Sequence, residues 1–166
     1  MALFIMFGYV LAFFPGRGYI EARAEGVPVR DGDVSLLSRT FSVDKKENLF
    51  ILKIEKMNPD PSVLKPLHDA IRFYRKDNIE IEFIPTTGIA GLSIMRGPGL
   101  SSEVTDSNPI YEERPIMQVL PREDTKNFKK AHYTAEILND YMRWSYEILS
   151  SHPINSKRER DNEPPI

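Results

Sequence analysis

Apolar and polar positions divide the chain into short runs of different period. From Met1 to Phe14 nearly every residue is apolar, and the run ends at Pro15-Gly-Arg-Gly18. Tyr19–Ala24 reads as a short helix closed by Gly26, since glycine suits the left-handed position after a helix. Val27 to Asp33 is loop, with Asp31-Gly32 its strongest turn signal. Val34–Val43 and Asn48–Ile54 follow as strands joined by a polar turn over Asp44-Lys-Lys-Glu47. Both alternating sets of the second are apolar, which predicts burial on both faces. The next helix is expected to become regular at Pro66, because proline is tolerated in a first turn; Leu67, Ala70, Ile71 and Tyr74 form its apolar stripe. Asn78–Ile84 alternates cleanly, with Ile79, Ile81 and Phe83 against Glu80 and Glu82. Ile89–Met95 is a further strand ended by Arg96-Gly-Pro-Gly99, and Ile116–Leu120 a short one after a polar loop. The longest helix runs from about Thr125 to Ser151, with Ile137, Leu138, Tyr141, Ser145, Ile148 and Leu149 on one face. From Pro153 to Ile166 the chain is polar and without periodicity. Strands alternating with helices predict an α/β domain, a mixed β-sheet with flanking helices.

Composition narrows the class. A chain of 166 residues suffices for one domain with a real core and is too short for two ordinary ones. A hydrophobic fraction of 41% with 28% charged residues matches a globular protein. The net charge of −2 offers no global attraction for nucleic acid or an anionic membrane. There is no cysteine, which excludes disulfides, thiolate metal sites and a Cys nucleophile, and suits a reducing compartment. The opening apolar run is shorter than the roughly 20 residues a membrane-spanning helix needs. It also lacks the basic start and small-residue cleavage site of a signal peptide. A leader for export remains the weakest of three readings; a segment buried within a core is the favoured one.

Candidate chemistry is sparse. His68, His132 and His152 fit no metal-binding spacing, and His152 sits where it can meet a helix C-terminal dipole. No GxSxG elbow is present, and Ser101-Ser102 lies in a loop without a recognisable base or oxyanion hole. Gly16-Arg-Gly18 before a helix is more suggestive. Glycines allow close backbone approach to an anion, the helix N-terminus offers N–H groups, and Arg17 adds a fork of donors. The same spacing also serves as a plain turn. Arg39, interrupting an apolar strand, and Arg96, ending another, are further anion-binding candidates, each more readily explained by itself as a surface or salt-bridged arginine.

Three stretches in order are more informative than any single motif. PGRGYIEARAEGVPVRDGDVSL, GPGLSSEVTDSNP and AEILNDYMRWSYEILSSHPINSKRERDNEPPI together resemble the archaeal-type, 2,3-bisphosphoglycerate-independent phosphoglycerate mutases of the alkaline phosphatase superfamily. The resemblance implies a phosphatase-like core with two divalent metal ions (Mn, Mg or Zn) and a nucleophilic Ser that forms a phosphoserine. A smaller α/β domain inserted in that core covers the substrate. This chain resembles the middle part. Residues 1–26 correspond to a remnant of the core and hinge, 27–152 to the inserted domain, and 153–166 to a return linker. The nucleophile would precede the stretch matching Phe4–Tyr9 and the remaining ligands would follow Ile166, so these 166 residues are expected to be inactive alone. Met1–Phe14 would then be an incompletely covered core segment, sticky or poorly ordered in isolation.

By the same resemblance Arg17 and Arg39 would meet phosphate or carboxylate, with Arg96 and Asp106 as secondary contacts. The implied setting is cytoplasmic glycolysis, with a phosphorylated small-molecule substrate and no nucleic-acid or membrane partner. Two departures matter. Where members often carry Arg-Cys-Asn-Phe this chain has Leu37-Ser-Arg-Thr40, and where they often carry His-Arg or Tyr-Arg it has Ile89-Ala90. The second removes an arginine, and with it an expected phosphate contact, so a paralogue acting on another phosphorylated metabolite is one alternative. A stand-alone, non-catalytic module that binds an anionic metabolite or a protein partner is the other.

Overall fold

The computed structural model describes residues 16–54 and 57–166. The reading of Met1–Phe14 as a core segment lies outside them. The described residues form, in order, α1 (Arg17–Ala24), β1 (Val34–Arg39), β2 (Ser42–Lys46), β3 (Leu49–Ile54), α2 (Pro61–Ala70), β4 (Phe73–Lys76), β5 (Ile79–Pro85), β6 (Ala90–Arg96), α3 (Phe128–Ser150) and α4 (Pro153–Arg160). The α/β class with flanking helices stands. The main sheet has the order β1-β6-β5-β4, and every pairing in it is antiparallel, so it is not mixed. For β4–β5 and β5–β6 the reason is connection length. Asp77-Asn78 joins β4 to β5 and Thr86–Ile89 joins β5 to β6, far short of the dozen or so residues a parallel crossover requires.

Strand alternation gives the sheet two different faces. On one, Val34, Ile79, Ile81 and Met95 pack against Ala135, Ile137, Leu138 and Tyr141 of α3. Tyr74 joins this core, its ring 5.5 Å from Tyr141 and 5.3 Å from Trp144. On the opposite face Leu92 and Ile94 pack on Ala22 of α1, with Val27, Val29 and Ile84 at the margin. Helix α2 lies on the α3 side, where Leu64 and Leu67 meet Ile89 and Ile166. Gly91 is required here: a Cβ would lie 2.6 Å from the Phe83 ring.

Several sequence expectations shift in instructive ways. The strand expected over Val34–Val43 is two strands in two sheets. At Thr40 the chain leaves β1 with its N–H bonded to Ile89 O (3.0 Å), and Ser42 starts a hairpin with β3. The hairpin turns at Glu47-Asn48, later than expected, so Asp44–Lys46 are strand residues on an exposed edge. Helix α2 begins five residues before Pro66. Asp60 caps it by accepting from Ser62 N (2.8 Å), Pro61 takes the first position, and Pro66 sits on the exposed side where water can serve the freed carbonyl. Tyr74 continues the helical spacing of Leu67 and Ile71 but belongs to β4, which periodicity missed.

Ile116–Leu120 forms no strand ladder. Ile116 N donates to Phe50 O (2.7 Å) beside β3, and Val119 is held by a side chain instead. Its N–H donates to Asn139 Oδ1 and its carbonyl accepts from Asn139 Nδ2, both at 2.9 Å. The aperiodic stretch from Pro153 contains α4, a helix defined by its caps rather than by an apolar stripe. Pro153 is its first residue and a His152 ring nitrogen accepts from Ile154 N (3.3 Å). His152 therefore starts one helix instead of neutralising the dipole of the one before.

Candidate functional site

The face of the sheet that carries α1 holds three of the four arginine and aspartate candidates. Helix α1 sits unusually close to β1 because residue 18 is glycine. A Cβ there would fall 2.2 Å from Ser35 O, and Ser35 Oγ donates to Gly18 O at 2.8 Å. Ser35, Leu37 and Arg39 alternate onto this same face, as do Ala90, Leu92, Ile94 and Arg96 across the pairing. The expected role of the Gly-Arg-Gly turn changes accordingly. Gly18 serves helix-to-strand packing, while Gly16 has open space around it and its carbonyl accepts from Tyr19 N (2.9 Å). Arg17, the first residue of α1, is exposed at the helix N-terminus, where the backbone dipole favours negative charge.

Arg39 closes β1 directly opposite Ala90. The residue after it is fixed: Thr40 is buried, with Oγ1 3.4 Å from both Ile89 O and His68 Nε2. His68 is itself buried, its ring edge-on to Phe83 at 5.0 Å. Burial holds its pKa below the usual histidine value, with the charge of Asp69 pulling weakly the other way. A neutral imidazole thus backs the strand end that presents Arg39.

Arg96 lies at the far end of the same pairing. It is six residues from Ala90 along β6, roughly 20 Å by strand rise, so it and Arg39 cannot grip one small anion from their backbone positions. Its guanidinium faces Glu82 (2.9 Å) and Asp33 (3.8 Å), which match its charge and tie β5, β6 and the entry to β1 together. Asp106 is in the loop between β6 and α3, exposed, accepting from Asn108 N at 3.0 Å in a local turn. The structure therefore places Arg17, Arg39 and Arg96 on one side of the sheet and Asp106 apart from them.

A second concave feature, a cavity of about 340 Å³, lies between the β4–β5 turn and α3 and is lined in part by Lys76, Gln118, Tyr133 and Arg143. Asp140 ion-pairs with both Lys76 and Arg143, so the cations there are already engaged. Among the described residues no group of three or more His, Cys, Asp or Glu side chains could hold a metal ion. The donor set for the two divalent cations the resemblance implies is not found among them.

The two sequence departures noted above prove to be neighbours. Leu37–Thr40 and Ile89-Ala90 are about fifty positions apart in the chain, yet Arg39 pairs with Ala90 and Thr40 N binds Ile89 O. Comparison with known proteins identifies the lineage. A family profile described as 2,3-bisphosphoglycerate-independent phosphoglycerate mutase matches residues 1–155. The chain belongs to that family.

Among its relatives, a 2,3-bisphosphoglycerate-independent phosphoglycerate mutase of Methanopyrus kandleri is 34% identical over 155 residues, 92% of this chain and 36% of the relative. That of Methanococcus vannielii is 33% identical over 153 residues, 91% of this chain and 36% of the relative. The solved structure of a cofactor-independent phosphoglycerate mutase from Thermoplasma acidophilum superposes with a TM-score of 0.73 at 23% identity. It covers 94% of this chain and 40% of that one, which establishes a shared fold. The chain thus spans little more than a third of the length of the curated relatives it matches. The sequence pattern reached the family. It missed the backing of Arg39 by Thr40 and His68, whose only sequence signal is an isolated polar residue at the end of an apolar strand.

Proposed function

We propose that this chain provides the substrate-covering part of a metal-dependent phosphoglycerate mutase, an isomerase that moves a phosphoryl group between the hydroxyls of 2- and 3-phosphoglycerate. The single observation that carries the reading is the family match across residues 1–155. The α1 face supports it with Arg17 at a helix N-terminus and Arg39 at a braced strand end, both suited to anions. In this role the described residues bind and orient the substrate and exclude water from a phosphorylated intermediate. Phosphoryl transfer itself is not assigned to them, since they offer neither a metal donor set nor an activated nucleophile.

The test uses the purified 166-residue chain with 3-phosphoglycerate and Mn²⁺ or Mg²⁺ in an assay coupled to removal of 2-phosphoglycerate. We expect no turnover, together with 3-phosphoglycerate-dependent shifts of the Arg17 and Arg39 amide resonances in a ¹H–¹⁵N spectrum. Turnover would show that the chain is catalytic by itself. Absence of any shift on the α1 face would remove the substrate-covering reading.

A further inference from the structure

Helix α2 depends on its seat. At ten residues it is shorter than an isolated helix needs in water, and Pro66 removes one of its backbone bonds. The seat is a buried stripe of Leu64, Leu67 and His68, continued by Ile71, in which only His68 is polar. The His68 ring meets the junction where the chain leaves the main sheet for the β2–β3 hairpin. There Thr40 Oγ1 lies 3.4 Å from both His68 Nε2 and Ile89 O. A hydroxyl has one hydrogen, so both contacts are bonds together only when Nε2–H donates to Oγ1 and Oγ1–H donates to Ile89 O. Nδ1 of the neutral ring is then the nitrogen left to take a further proton. Little around the ring could offset that charge. Thr40, Ile89 and Phe83, the last edge-on at 5.0 Å, are uncharged. Tyr141 of α3 donates to Ile71 O (3.5 Å), Arg72 after α2 faces Glu82 (3.5 Å), and Arg39 beside Thr40 alternates to the α1 face. Asp69, the next residue of α2, is already bonded to Lys65 Nζ at 2.6 Å, and its charge opposes the effect of burial only weakly.

We propose that α2 is an acid-released latch on this junction: protonation of His68 at Nδ1 drives the helix off the sheet and frees Thr40 at the root of the β2–β3 hairpin. The physical ground is solvation. An imidazolium buried beside Leu64, Leu67 and Phe83 loses water without gaining a carboxylate acceptor, and lifting a short helix restores that water. Leu64 and Leu67 form a small cluster with Ile89 and Ile166, separate from the α3 core, so α2 can open while that core stays closed. The latch operates whether or not the α1 face covers a substrate.

The experiment is amide hydrogen exchange on the whole chain between about pH 7.5 and about pH 5, read by ¹H–¹⁵N NMR and normalised to unstructured-peptide rates. The His68 Cε1–H resonance is followed in the same samples. The Leu67 and His68 amides of α2 are expected to open at least about tenfold more often than that of Leu138 in α3 at every pH. Their opening should rise as pH falls below the ordinary histidine value of 6.5, by up to about tenfold per pH unit. His68→Gln, neutral throughout, should remove that rise. Thr40→Val leaves Nε2–H unpaired and should raise α2 opening about tenfold near neutral pH. If α2 and Leu138 share one protection at every pH, His68 acts only through global unfolding and the latch is wrong. An unchanged rise in His68→Gln, or unchanged α2 opening in Thr40→Val, also overturns it. Should His68→Gln not fold, the unmodified chain decides: a Cε1–H midpoint below 6.5 with α2 opening rising between the two values supports the latch, and a midpoint at or above 6.5 refutes it.

Discussion

Replacing Gly18 by alanine sets two effects of opposite sign against each other. Alanine is the better helix former by about 1 kcal/mol, which alone would stabilise α1. The added Cβ, however, lies 2.2 Å from Ser35 O, 2.6 Å from Ser35 C and 2.7 Å from Leu36 N. These are backbone atoms of a paired strand and cannot swing aside, so α1 must lift by about 1 Å to reach an ordinary contact. A gap of that size forfeits a quarter to a half of each contact in the fully buried Ala22–Leu92–Ile94 packing. It also stretches the 2.8 Å bond from Ser35 Oγ to Gly18 O, a contribution of about 1 kcal/mol. With an overpacking penalty of about 1–3 kcal/mol, the strain outweighs the propensity gain and leaves a net loss near 2 kcal/mol. That is roughly a 30-fold shift in the unfolding equilibrium, or about 4–8 °C in Tm for a chain of this size. Urea denaturation followed by circular dichroism measures it directly. Gly16→Ala, with nothing within 4 Å of its Cβ, is the control and should change stability by less than about 1 kcal/mol. A Gly18→Ala protein as stable as the parent would refute the claim that α1 is held at glycine distance from β1.

Two further outcomes follow from side chains that stand in for secondary structure or resist charge. Asn139→Ala removes both bonds to Val119 and leaves that buried backbone unpaired, so a loss of about 2–3 kcal/mol is expected in the same denaturation assay. A loss below about 0.5 kcal/mol would mean that the loop has its own support. For His68 the folded pKa lies below the unfolded one because burial disfavours the imidazolium, so below the ordinary value of 6.5 the unfolded state takes up the proton first. Stability should be full above that pH and fall as pH drops toward the folded pKa, at no more than about 1.4 kcal/mol per pH unit from this group. His68→Gln should flatten the dependence between pH 6.5 and the onset of carboxylate titration; an identical slope in the variant would assign it to other groups.

The sequence was read best where local chemistry is sufficient. NIEIEFI alternates apolar and charged residues, and β5 forms within one residue of the expected limits, with Ile79, Ile81 and Phe83 buried. The long apolar stripe of α3 likewise predicted its buried face, and Ile51 and Leu52 are buried on opposite sides of β3 as expected. It was read worst where a tertiary partner replaces a local one. Tyr74 keeps helical spacing from Ile71 but is drawn into β4 by Ile81 across the hairpin and by Tyr141 and Trp144 above it. Ile116–Leu120 has the composition of a strand, yet an asparagine on α3 satisfies its backbone.

The candidate site divides along the same line. Residue type and spacing alone singled out Arg17, Arg39 and Arg96 as possible anion contacts, since an arginine fork is visible in any context. Where Arg39 and Arg96 are presented depends on strand register. Register sets Arg96 against Glu82 and Asp33 and sets Arg39 against Ala90. A one-residue slip would send every one of these side chains to the other face, so the pairing partners, distant in the chain, make that choice. Composition and pattern determined what kinds of groups are available; the antiparallel pairing of β1 with β6 decided which of them share a surface.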